Sequence, residues 1–171
     1  LESHLYCIIK LDTSFPNYIF GQDIDIFSYN LPSFSSSLID ILKSFLKDNI
    51  TIKCTSLNDG KQIHLDLLNN EKIEFRFDLY GAMPRYKNID IKNGFFAHVI
   101  ENKIAKKIST DTGSYNIYIP SSQNELILRY LEYIEYFQHI PDKVKHADYI
   151  LNQLEKTPSD ISYIDVLHHY I

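Results

Sequence analysis

The sequence predicts an α+β fold, with a mixed β-sheet core followed by a C-terminal helical region. Residues 4 to 80 hold five short runs rich in β-branched and aromatic side chains, interrupted by a single helical stretch. From Ser121 onward, apolar side chains recur at three- and four-residue spacing instead. Strands first and helices last is the order of an α+β chain, not of alternating βα units. The expected core covers 1–117, and the expected helical region, 118–171, packs on it as one structural unit.

Taken in order, residues 4–11 (HLYCIIKL) read as a strand because Leu5, Tyr6, Ile8, Ile9 and Leu11 crowd a short run. A turn at Asp12 to Asn17 leads into a second strand over 18–27 (YIFGQDIDIF). Pro32 and the serines from Ser33 to Ser37 then supply a break and several candidate N-caps. In the helix that follows, Leu38, Ile39, Ile41, Leu42, Phe45 and Leu46 recur on one face, which is expected to be buried. Three strands come next, at 50–56, 62–68 and 72–80, with turns at Asp59-Gly60 and Asn69-Asn70-Glu71. A short helix at 93–102 precedes a hairpin that pairs Lys103 to Ser109 with Tyr115 to Ile119. Ser121 or Ser122 caps a helix to about Gln138, Pro141 opens another to about Glu155, and Pro158 to Asp160 starts the last.

At 171 residues, 44% hydrophobic and 23% charged, the chain has the size and composition of one globular domain. No apolar run approaches the roughly 20 residues that cross a bilayer, so no membrane span is expected. Net charge is -5, and only Arg76, Arg85 and Arg129 among the 17 basic residues are arginines. That balance argues against general nucleic-acid binding, which needs many cationic contacts to phosphates. Cys7 and Cys54 form neither a disulfide framework nor a CxxC pair, which points to a reducing, cytoplasmic setting. The Leu-Glu start reads as a remnant, and the chain as a domain that could be fused to, or associate with, other glycan-assembly domains.

The segment Gly21-Gln22-Asp23-Ile24-Asp25-Ile26-Phe27 carries most of the chemical information. Alternate strand residues share a face, so Asp23 and Asp25 point the same way, about 6 to 7 Å apart, while Ile24 and Ile26 enter the core. Two like charges on one strand face repel, and Asp is a poor strand former. A divalent cation would offset both costs, and paired carboxylates suit Mg²⁺ (or Mn²⁺). A solvent-facing strand that happens to carry two aspartates is the plain alternative. The run KIEFRFDLY (72–80) again sets Glu74, Arg76 and Asp78 on one face, so Asp78 is favoured as the third carboxylate. Asp66 is the rival for that place, though it sits near a turn and reads more simply as a solvated residue.

Together, Gly21-x-Asp23-Ile24-Asp25-Ile26 after a β-turn-β opening, a helix, and the later strand Phe75-Arg76-Phe77-Asp78-Leu79 resemble the nucleotidyltransferase superfamily of the DNA polymerase β type. The likeness spans roughly residues 5–80 and is greatest to small bacterial members from surface-polysaccharide clusters. It implies that Asp23 and Asp25 hold two Mg²⁺ ions on the phosphates of an NTP. It further implies that Asp78 helps activate a small hydroxyl-bearing acceptor for attack on the α-phosphorus. The family's Gly-Ser or Gly-Gly phosphate turn has no counterpart in Lys10-Leu11-Asp12-Thr13-Ser14-Phe15-Pro16. Lys10, Thr13 and Ser14 are the substitutes, with Gly21 just before the aspartates; otherwise the cradle is absent and the chain is a degenerate member used for binding or assembly. A metal-dependent glycosyltransferase ranks lower, because its DxD usually lies deep inside a longer domain.

Other residues have competing readings. Arg76 shares the strand face of Asp78, where it either contacts phosphate or neutralises a carboxylate. Arg129 could reach phosphate, but an ion pair with Glu125 or Glu132 along its helix is favoured. Lys143, Lys145 and His146 form a basic cluster that resembles the C-terminal helix of these transferases, and a solvated helix face is the default. The histidines, His64 among them, show no zinc spacing.

Overall fold

The β-branched and aromatic runs of the first half pair into a five-stranded sheet. Its strands are β1 (Tyr6–Ile9), β2 (Gln22–Ser28), β3 (Ile50–Leu57), β4 (Gln62–Asn69) and β5 (Lys72–Tyr80), in the order β1-β2-β5-β4-β3. The computed structural model describes residues 4–12, 14–86, 89–92, 94–156 and 162–171. The central β2 and β5 run parallel, and every other neighbouring pair is antiparallel. The α+β class read from the sequence is the class observed.

One helix, α1 (Leu31–Phe45), covers one face of this sheet. Its Leu31, Phe34 and Leu38 join Tyr6, Ile8, Ile26, Ile63, Leu65 and Leu79 in a buried cluster. Burial of this kind stabilises by about 1.5–3 kcal/mol for each large side chain. Because the period of a strand is two, putting Ile24, Ile26, Phe77, Leu79, Ile63 and Leu65 toward α1 turns Asp23, Asp25, Arg76, Asp78, His64 and Asp66 to the opposite face. The hairpin β6 (Ile104–Thr110) and β7 (Gly113–Ile119) forms a separate two-stranded sheet. Ile117 and Tyr118 of β7 pack against the same core, Tyr118 standing edge-on to Tyr6 at 5.5 Å.

Several boundaries differ from the sequence expectation. β1 stops at Ile9 because Lys10 turns into the left-handed region at φ 52. β2 begins at Gln22, since Tyr18, Ile19 and Phe20 lie exposed in a turn closed by Gln22 N–H donating to Ile19 O at 3.0 Å. The Pro-Ser stretch does not break the chain but lies inside α1. Asn30 caps that helix by accepting from Ser33 N at 3.2 Å, and a proline in the first turn loses no helical hydrogen bond. Starting the helix earlier rotates the buried stripe, so Leu31, Phe34 and Ser35 are buried while Ile41 and Phe45 are exposed, Phe45 at 83%.

The chain divides into two compact units, one of 1–83 and 105–119 and the other of 84–104 and 120–171. The second unit holds α2 (Phe95–Glu101), α3 (Ser122–Tyr136), α4 (Lys145–Lys156) and α5 (Ser162–Tyr170). Ser121 caps α3, and Pro141 opens a 3-10 turn ahead of α4. The expected start of the last helix at Pro158 to Asp160 lies outside the described residues. Phe95, Val99, Ile100, Ile127, Leu128 and Leu131 are buried in this unit, and the Phe95 and Tyr170 rings stand 5.4 Å apart. Among the described residues no helix is long and apolar enough to cross a membrane.

Candidate active site

Neighbouring strands bring the acidic residues together through their register. Asp25 lies opposite Asp78 in the parallel β2–β5 pair, and Asp23 lies opposite Arg76. On the other side of β5, His64 is opposite Asp78 and Asp66 is opposite Arg76. With strands about 4.8 Å apart, three adjacent strands therefore carry one continuous patch of ionisable groups. Asp23 is exposed and Asp25 half-buried, whereas Asp66 is only 5% exposed.

That burial corrects the reading of Asp66 as a solvated residue near a turn. It sits in the body of β4, and Arg76 grips it through two contacts, Nε to Oδ1 at 2.6 Å and an Nη donor to Oδ2 at 3.2 Å. The forked contact is the strong form of a guanidinium–carboxylate pair. Of the two roles open to Arg76, neutralising a carboxylate is the one seen. Asp66 is thereby committed to Arg76, leaving Asp78 as the carboxylate beside Asp25.

Asp78 is the most perturbed group of the patch. Burial first, then the charges of Asp25 and Asp23, push its carboxyl up to about 7. Its Oδ1 is buried without an aligned hydrogen bond among the described residues, 3.3 Å from His64 Nε2. The Asn58 amide donates to Gln62 Oε1 at 2.7 Å, which leaves Gln62 Nε2 to donate to His64 Nε2 at 2.9 Å. His64 Nε2 is then an acceptor facing Asp78, in a neutral ring. Burial, followed by the Arg76 charge, lowers the His64 pKa in the same sense. The lack of zinc spacing gave no reason to single out His64; its place opposite Asp78 was hidden in the β4–β5 register.

Lys10 reaches Asp25, with Nζ to Oδ2 at 2.8 Å and both side chains largely buried. Its positive φ is a conformation that costs a non-glycine residue about 1–2 kcal/mol. Gly21 also has positive φ, at 83, and its N–H donates to Glu74 O at 2.9 Å. A Cβ there would meet nothing within 4 Å, so backbone conformation rather than space calls for glycine. Ser14 N–H bonds Asp12 Oδ1 at 2.8 Å, while Thr13, the other cradle substitute, lies outside the described residues.

Mg²⁺ can be tested against these donors. The buried Asp78 Oδ1, the strongly raised Asp78 and the parallel Asp25–Asp78 register make an oxygen-rich spot that a cation would stabilise. Among the described residues, however, no three His, Cys, Asp or Glu side chains are grouped to hold a metal ion. The donor chemistry thus fits a cation at Asp25 and Asp78, in side-chain positions where Lys10 now neutralises Asp25.

Arg129, Lys145 and His146 belong to the helical unit. Arg129 is 9% exposed and is held by Glu125, with Nε to Oε1 at 2.6 Å, so the helical ion pair is observed. Its guanidinium also lies 4.3 Å from the Tyr149 ring centroid and 3.5 Å from His146 Nδ1. His146 is buried, Lys145 is exposed, and Lys143 donates to Glu132 at 2.7 Å. These contacts place Arg129 and His146 inside the packing of α3 on α4. No protein-family model and no curated protein matches the chain.

Proposed function

We propose that this chain is a Mg²⁺-dependent nucleotidyltransferase-like protein that moves a nucleotidyl group from an NTP to a small hydroxyl-bearing acceptor in cell-surface polysaccharide assembly. The observation that carries this reading is the register of Asp25 against Asp78 on adjacent parallel strands, with Asp23 on the same face. Of the three aspartates the resemblance implies as ligands, Asp25 and Asp78 stand in register and would hold the cation, with Asp23 on the same face, and the cation when bound supplies charge stabilisation for in-line displacement at phosphorus. The chain's own part is positional. Arg76 keeps the Asp66 charge off the reacting groups, and the sheet fixes the spacing of the carboxylates. Asp78, beside Asp25, would accept the proton of the acceptor hydroxyl as that oxygen bonds to phosphorus.

The test is pyrophosphate release from each of the four NTPs with Mg²⁺ and a panel of sugar and polyol acceptors. The native chain is expected to turn over, and Asp25→Asn to lose about 100-fold or more while keeping its fold. Turnover retained by Asp25→Asn contradicts the reading. The Lys10–Asp25 contact favours a second reading, a nucleotidyltransferase-like fold serving as a binding or assembly module of a larger protein. Tight Mg²⁺-dependent NTP binding would count against that alternative.

A further inference from the structure

The cation-site reading leaves Lys10 unexplained, since an ammonium on a metal-binding carboxylate opposes the metal. Lys10 follows the last residue of β1, and Ile9 lies opposite Asp25 in the β1–β2 ladder. Strand alternation would turn the next side chain to the α1 face, and the left-handed backbone of Lys10 instead brings its ammonium to the acidic patch. Its backbone is held at φ 52, a conformation that glycine, not lysine, takes at no cost. A lysine kept in such a strained place at a candidate active site points to a use for its side chain. That side chain ends 2.8 Å from Asp25 Oδ2, with 13% of the lysine and 18% of the aspartate side chain exposed, so the contact is shielded from water and salt.

We propose that Lys10 is a built-in counter-cation that guards Asp25 and must be displaced before a divalent cation enters, a role that rests on the cation-site reading above. In the resting chain the ammonium screens Asp25 from Asp23 and Asp78, which lets three carboxylates share one face. A divalent cation at Asp25 meets a positive charge already in contact with its ligand, so it enters only by breaking the pair. Once displaced, the ammonium remains tethered at the rim of the patch, where an anionic substrate is the natural partner for it. Cation entry and phosphate capture are in this way coupled through one side chain.

The experiment is a Mn²⁺ titration without nucleotide, followed by the electron paramagnetic resonance of free Mn²⁺. It compares the native chain with Lys10→Gly, Lys10→Met and Lys10→Arg, each checked for folding by circular dichroism. Lys10→Gly keeps the left-handed backbone without strain, and Lys10→Met keeps the aliphatic stem. Both are expected to bind Mn²⁺ about tenfold or more tightly than the native chain, and Lys10→Arg to stay near the native affinity. Adding Asp25→Asn to Lys10→Gly is expected to remove the gain. Equal or weaker binding by the folded neutral variants overturns the proposal, as does a gain that survives Asp25→Asn. The transferase reading is scored separately by pyrophosphate release. A chain with the Mn²⁺ gain and no turnover leaves the Lys10 role standing and removes the transferase reading.

Discussion

Asp78 holds its proton at pH values where an Asp in an unfolded chain, near 3.9, has lost it. Its folded-state value is raised to about 7, so between about 4 and 7 the folded chain binds more protons than the unfolded one. Stability without divalent cations should therefore fall as pH rises through that window. Asp78→Asn cannot ionise, and it is expected to match the native chain at pH 4 and exceed it at pH 8 by on the order of 1–3 kcal/mol in urea unfolding. A native-like slope in the variant would contradict the electrostatic account of the patch. The Asp66–Arg76 pair makes the opposite prediction. Arg76→Met leaves a buried carboxylate alone, at a cost of about 2–3 kcal/mol after allowing for the partial exposure of Arg76, and adding Asp66→Asn should restore part of that loss. Alternation alone put Asp23 and Asp25 on one face, whereas the choice of Asp78 over Asp66 beside them depended on the β2–β5 register. The Lys10 contact was not legible, because it depends on a positive φ in a residue type that gives no sign of one.

The β4–β5 hairpin shows why a site on a sheet is harder to read than a strand. Its turn residues Asn70 and Glu71 both have positive φ, which suits a two-residue connection. An unbroken ladder from that turn would set Asp66 opposite Phe75 and His64 opposite Phe77, polar against apolar. A register shift between Leu67 and Leu68 moves the pairing by one, placing Asp66 opposite Arg76 and His64 opposite Asp78. The extra residue is Glu74 of β5, which has no ladder partner on β4 between Ile73 and Phe75, and the regular alternation Ile73, Phe75, Phe77 gives no sign of it. The same logic explains the misplaced start of α1. Pro32 and the serines read as a break until Asn30 is recognised as the cap, after which proline belongs in the first turn.

At the scale of the molecule, the α+β order was legible because strand and helix periods differ so clearly along the chain. The grouping of 84–104 with the C-terminal helices was not, since it depends on contacts such as Phe95 with Tyr170 that span most of the second half. Arg129 shows the same limit from the other side: a cation suited to phosphate is consumed by Glu125 and the Tyr149 ring. Net charge of -5 and an acidic patch would repel a polyphosphate without a cation between them. The proposed function therefore turns on whether a divalent cation joins nucleotide to Asp25. Calorimetric titration of the native chain and Asp25→Asn with NTP, in Mg²⁺ and in EDTA, measures this most directly. Binding by the native chain only with Mg²⁺, and none by Asp25→Asn, is the predicted result; binding that is indifferent to Mg²⁺ or to Asp25 would contradict it.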